Sequence, residues 1–238
     1  WLLASDGFIV LDKRRSIFNL ILLIVSGKTE LHKTNHDNRD CVYAISGDET
    51  LRLEDAKLTL YLFYHHCNNH TKEVTIENYL KATGRTMQNK DPIRRSIKRL
   101  GALKIAYLDH NGKRQEQELF AVCKLNRGKI IFRVNSFFTT KLNTHGRGHR
   151  NRGLYDSIFN QDNYRTYAQN GIRLLVMLYL IYFLDDVDMI DNKILVQEKK
   201  NIKALLGKYF DNQNPLFPLC IDHSCDVFLK QYNYPSQS

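Results

Sequence analysis

Residues that break a chain or staple it together are scarce here. Four prolines and twelve glycines in 238 residues leave no proline- or glycine-rich tract, which excludes extended low-complexity disorder. Five cysteines (Cys41, Cys67, Cys123, Cys220 and Cys225) are an odd set at irregular spacing. That excludes a disulfide framework and suits a reducing compartment, so a cytoplasmic location is expected. The longest apolar runs, 20–25 and 174–184, fall short of the roughly 20 residues a membrane-spanning helix needs. No membrane partner is expected, and no basic stretch leads into an apolar core at the start, as a signal peptide would require.

Catalytic and metal signatures are missing too. There is no G-x-x-x-x-G-K phosphate loop and no G-x-S-x-G elbow, so neither an enzyme nor a cofactor is expected. Cys220, His223 and Cys225 form the most metal-like cluster. Zinc sites favour paired C-x-x-C spacings and a fourth ligand, which only the distant His66 or Cys67 would supply, so these read as structural cysteines. His145 and His149 are separated by glycine, and Asp185, Asp186, Asp188 and Asp191 lack the glycine and closing glutamate of a calcium loop. No metal is expected.

One long segment is short of acid. Residues 85–152 hold 17 Lys/Arg against 4 Asp/Glu, a net of +13, while the rest of the chain has a net of −3. A polyanionic partner explains that partition better than general solubility does.

Within this segment the order of elements is informative. Asp91 and Pro92 read as the start of a helix, by side-chain capping and a residue that needs no amide partner. Ile93, Ile97 and Leu100 make its apolar face, Lys90 stands just ahead of it, and Arg94, Arg95, Lys98 and Arg99 point away. Gly101 stands where a left-handed cap would end it. Strands are expected at 103–108, 119–125 and 129–134, with a turn at 109–113 that places Lys113 and Arg114 at a hairpin tip.

The preceding residues complete a pattern. Leu53, Ala56, Leu60, Phe63 and Cys67 share one helical face, while Leu58 and Leu62 form a second stripe, predicting a helix covered on both sides. Glu73-Val74-Thr75 reads as a short strand, with Thr75 capping a helix over 76–83 that Gly84 ends. Helix, short strand, helix, basic helix and hairpin is the order of a winged helix-turn-helix. In that fold class, α+β, the basic helix lies in the major groove of double-stranded DNA and the hairpin reaches the backbone.

The expected organisation is a strand-rich extension over 1–48, a winged-helix domain over 49–143, a basic linker over 144–153 and a second, mainly helical, winged-helix-like domain over 154–238. The apolar run 17–25 reads as a buried strand, with a helix as the alternative. Arg147, Arg150 and Arg152 in the glycine-spaced linker are candidates for phosphate contact.

The basic segment closes with Gly128-Lys129-Ile130-Ile131-Phe132-Arg133-Val134-Asn135. After it come Tyr164-Arg165-Thr166-Tyr167 and an apolar helix around Arg173-Leu174-Leu175. Over about 50–207 this layout resembles the plasmid replication initiators built from tandem winged helices. The resemblance implies binding to repeated origin DNA, a homodimer contact through the first unit and recruitment of host replication proteins. The chain departs from it after Gly207, where 209–232 reads as neither basic nor clearly helical, and this leaves a degenerate or truncated second unit, or one that serves assembly instead of DNA reading. A winged-helix transcription regulator and a protein-binding scaffold are the alternatives, and the +13 segment argues against the scaffold.

Overall fold

The computed structural model describes residues 16–27, 44–46, 51–69, 72–85, 90–108, 113–135, 167–183 and 191–233. The fold is α+β, with helices and small antiparallel sheets, and the chain divides into two compact units, Trp1–His145 and Gly146–Ser238.

The first unit is built around α2 (Leu53–Asn69), whose residues 55–63 are all buried. Its two apolar stripes require two covers. One is α1 (Ser16–Ser26), and the other is formed by α4 (Lys90–Gly101) and β6 (Lys129–Val134). The run read as a buried strand is therefore a helix. Phe18 and the consecutive residues 21–25 are buried. A helix can bury such a run without borrowing strand partners, because it satisfies its own backbone groups. Ser26 Oγ donates to the Leu23 carbonyl, and Gly27 at φ 68° supplies the left-handed stop.

Among the described residues of this unit are two three-stranded antiparallel sheets. In the first, β1 (Ala44–Ser46) pairs with β3 (Lys104–Leu108), which pairs with β4 (Arg114–Glu118). In the second, β2 (Glu73–Thr75) pairs with β6, which pairs with β5 (Phe120–Asn126). The segment therefore makes two hairpins where the sequence suggested one. Leu119 is the hinge between them: its amide donates to the Leu103 carbonyl and its carbonyl accepts from the Asn135 amide. The expected Asn-Gly turn at 109–113 lies mostly outside the described residues. The β5–β6 turn is made by Arg127 and Gly128, both at positive φ (47° and 81°), the geometry that suits the twist of a tight hairpin.

Between β2 and α4 lies α3 (Ile76–Ala82). Thr75 accepts from the Asn78 amide at 3.0 Å, and Gly84 at φ 66° follows the helix. Ile76, Tyr79 and Leu80 face inward.

The second unit contributes α5 (Tyr167–Phe183), α6 (Asn192–Leu206) and α7 (Leu216–Asn233), with no strand among its described residues. Residues 171–181 of α5 are buried on every side, mainly against α7. Asp191 caps α6 by accepting from the Ile194 amide at 2.7 Å. Lys199–Asp226 and Lys203–Asp222 ion pairs run in opposite chain directions, so α6 and α7 are antiparallel. The expectation that 209–232 is not clearly helical is corrected by α7. Asn214 accepts from the Leu216 amide at 3.0 Å, and Pro218 sits in the first turn, where its missing N–H has no helical partner to lose.

Candidate nucleic-acid interface

The orientation of α4 is set by what it buries. Ile93, Ile97 and Leu100 are buried, as is Ser96 between them. Residues at three- and four-residue intervals stack on one side of a helix, so this inner stripe turns positions 94, 95 and 98 outward. Arg94, Arg95 and Lys98 are exposed, and Lys90, the first residue of the helix, is half-buried. Arg94 meets Asp91 at 3.1 Å across one turn, an exposed pair that contributes little to stability. The side chains of Lys90, Arg95 and Lys98 make no hydrogen bond or ion pair among the described residues.

Arg99 behaves differently from the outward position expected of it. Its Nε and Nη2 donate to the Asp55 carboxylate at 2.9 Å each, and its side chain is only 7% exposed. Asp55, wholly buried in the first turn of α2, also accepts from Ser96 Oγ and, at 2.6 Å, from the Arg52 amide. The carboxylate thus caps its own helix and holds two positions of α4. A buried carboxylate needs this many donors, since burial without them would cost several kcal/mol. Arg99 therefore braces the helix instead of presenting a free cation.

A neighbouring cluster fixes α3. The Tyr79 hydroxyl donates to Glu54 Oε1 at 2.6 Å, and Arg85 pairs with Glu54 Oε2. Burial, reinforced by the Glu54 charge, pushes the Tyr79 hydroxyl well above its ordinary pKa, so it remains a proton donor. Adjacent acids of α2 therefore hold α3 and α4 through separate partners.

At its far end α4 closes on β5. A side chain on Gly101 would place Cβ 2.7 Å from the Cys123 carbonyl oxygen. Gly101 is not at positive φ, so its place reflects close approach and not the expected left-handed cap.

The remaining expected contacts are spread more widely. Lys113 is exposed immediately before β4, and Arg114 is the first residue of that strand. Both belong to the β3–β4 hairpin, whereas the hairpin that shares a sheet with β2 is β5–β6. Arg147, Arg150 and Arg152 lie outside the described residues. The cations that sequence reading passed over are Lys124, Arg127, Lys129 and Arg133, all exposed on β5–β6. Their signal was present as alternation about the Arg127-Gly128 step.

Cys220 and Cys225 are buried on α7 while His223 is exposed, and no group of three or more His, Cys, Asp or Glu is placed to hold a metal among the described residues. Burial pushes the Cys123 and Cys225 thiols up to about 12, away from the thiolate form that binds metals. No described helix is long and apolar enough to cross a membrane. No protein-family model, curated protein or solved structure matches the chain, so the outward cations of α4 and their buried bracing stand on geometry alone.

Proposed function

We propose that this chain is a sequence-specific, double-stranded DNA-binding protein without a catalytic step of its own. In this reading α2, β2, α3, α4 and the β5–β6 hairpin form a winged-helix module, and α4 is its recognition helix. The observation that carries it is the division of labour along α4. Ser96 and Arg99 are spent on the buried Asp55, while Arg95 and Lys98 stand exposed with no partner among the described residues. A major groove about 12 Å wide admits one such helix, and arginine can meet guanine O6 and N7 together. The pairing of β2 with the second strand of the last hairpin supports the same module.

Within this reading the protein is an initiator of plasmid or phage replication that binds origin repeats and recruits host replication proteins. The succession of a basic unit and a helical unit favours that role over a single-module transcription regulator.

The test is fluorescence anisotropy on a sequence-selected duplex and on a random duplex across a salt series. Tight binding to the selected duplex with a steep salt slope is expected, and a selected sequence made of repeats favours the initiator. Equal, weak binding to both duplexes would refute the sequence-specific reading.

A further inference from the structure

The β2–β6–β5 sheet has two unlike faces. Val74, Phe120, Ile130, Phe132 and Val134 are buried, and strand alternation turns their neighbours outward. The register sets Val122 opposite Arg133, Lys124 opposite Ile131 and Asn126 opposite Lys129 on that outer face. Glu73 is the carboxylate that β2 adds to it, and Lys129 engages it at 2.6 Å. Lys124, Arg127 and Arg133 are exposed, and their side chains make no hydrogen bond or ion pair among the described residues.

We propose that this outer face is a second phosphate-binding surface, for a stretch of duplex backbone other than the one that meets α4. The inference rests on the DNA-binding reading of α4. The sheet and α4 bury their inner faces in one core, which leaves Arg95 and Lys98 on one exposed surface and Lys124 and Arg133 on another. On this proposal a short straight duplex held by α4 stops short of the outer face, whereas a longer one that bends, or a second segment, meets it. From Lys129 to Arg133 the strand spans roughly 13 Å, enough to meet successive phosphates. The apolar groups between the cations, Val122 and Ile131, are aliphatic and half-buried. Such a surface suits a backbone better than unstacked bases, which call for aromatic side chains.

The test combines Lys124→Gln, Arg127→Asn and Arg133→Gln, with asparagine chosen because it tolerates the positive φ at 127. All three side chains are exposed, and a melting curve checks that the fold is kept. Binding is measured on duplexes of about 12 base pairs, little more than one helical turn, and about 40 base pairs. On the long duplex the variant should bind roughly tenfold or more weakly, with a salt slope lower by about 2 to 3. On the short duplex it should match the wild type. Wild-type affinity and slope on the long duplex would overturn the proposal and leave the face to an acidic protein. Equal losses at both lengths would overturn it too, by placing the face on the same stretch as α4. If the wild-type protein bound neither duplex, the reading of α4 itself would fall and this inference with it.

Discussion

The guanidinium of Arg99 lies against the carboxylate of Asp55, 44 residues away in sequence, with two nitrogen–oxygen distances of 2.9 Å. The carboxylate is wholly buried, so the pair cannot be judged as a surface salt bridge. Removing Arg99 leaves the buried carboxylate with the Ser96 hydroxyl and the Arg52 amide but no counter-charge, and breaking a buried pair in this way costs about 3–5 kcal/mol. Arg99→Ala should lower the urea midpoint of the first unit by a corresponding amount. If stability were unchanged while DNA binding was lost, Arg99 would be a contact residue and the bracing account would be wrong.

Arg95→Ala combined with Lys98→Ala should do the opposite. Both side chains are exposed and make no bond among the described residues, so their loss should move stability by no more than about 0.5 kcal/mol. Duplex binding should weaken, with a salt slope lower by about 2 and reduced discrimination between selected and random sequence. Anisotropy and thermal unfolding on the same sample separate the two effects. Unchanged binding at moderate salt would remove α4 from the interface.

The contrast between these two variants marks where the sequence was legible. Helical periodicity showed α2, α3 and α4, because each has an apolar stripe set by local spacing. It could not show that Arg99 turns inward, since the reason sits on α2 and no local pattern encodes a partner 44 residues away. The strand β4 was missed because Arg-Gln-Glu-Gln-Glu has no apolar alternation, and its strand state comes from pairing with β3. The run before Gly27 was ambiguous for a different reason. Burial of Phe18 and of five consecutive residues, 21–25, removes the polar positions that separate period 3.6 from period 2. Around α7 the obstacle is proline, a residue that breaks helices when interior, although Pro215 precedes this helix and Pro218 occupies its first turn.

Gly101 offers a test of packing between α4 and β5. Alanine normally favours a helix over glycine by about 1 kcal/mol. Here the added Cβ would stand 2.7 Å from a backbone oxygen of Cys123, which has no flexible end to move aside. Gly101→Ala should therefore destabilise the first unit by about 1–3 kcal/mol despite the gain in propensity. A raised melting temperature would show that α4 and β5 are not in close contact there.

The buried thiols predict how stability responds to alkali. Burial raises Cys225 from an ordinary value of 9.0 to about 12, and Tyr209 and Cys220 shift upward for the same reason. Above pH 9 the unfolded chain releases the Cys225 proton while the folded chain keeps it. The unfolded state then binds fewer protons, so unfolding becomes easier as pH rises, by up to about 1.4 kcal/mol per pH unit for one group. The contribution is complete below pH 9 and is lost progressively toward pH 12. Cys225→Ala should lower stability at neutral pH by leaving a small cavity, yet flatten the decline between pH 9 and 10.5. Urea unfolding of the second unit at half-unit pH steps reads both effects. If the two proteins declined with equal slopes, Cys225 would already ionise in the folded state near its ordinary value, and the burial that shapes α7 would be weaker than the structure shows.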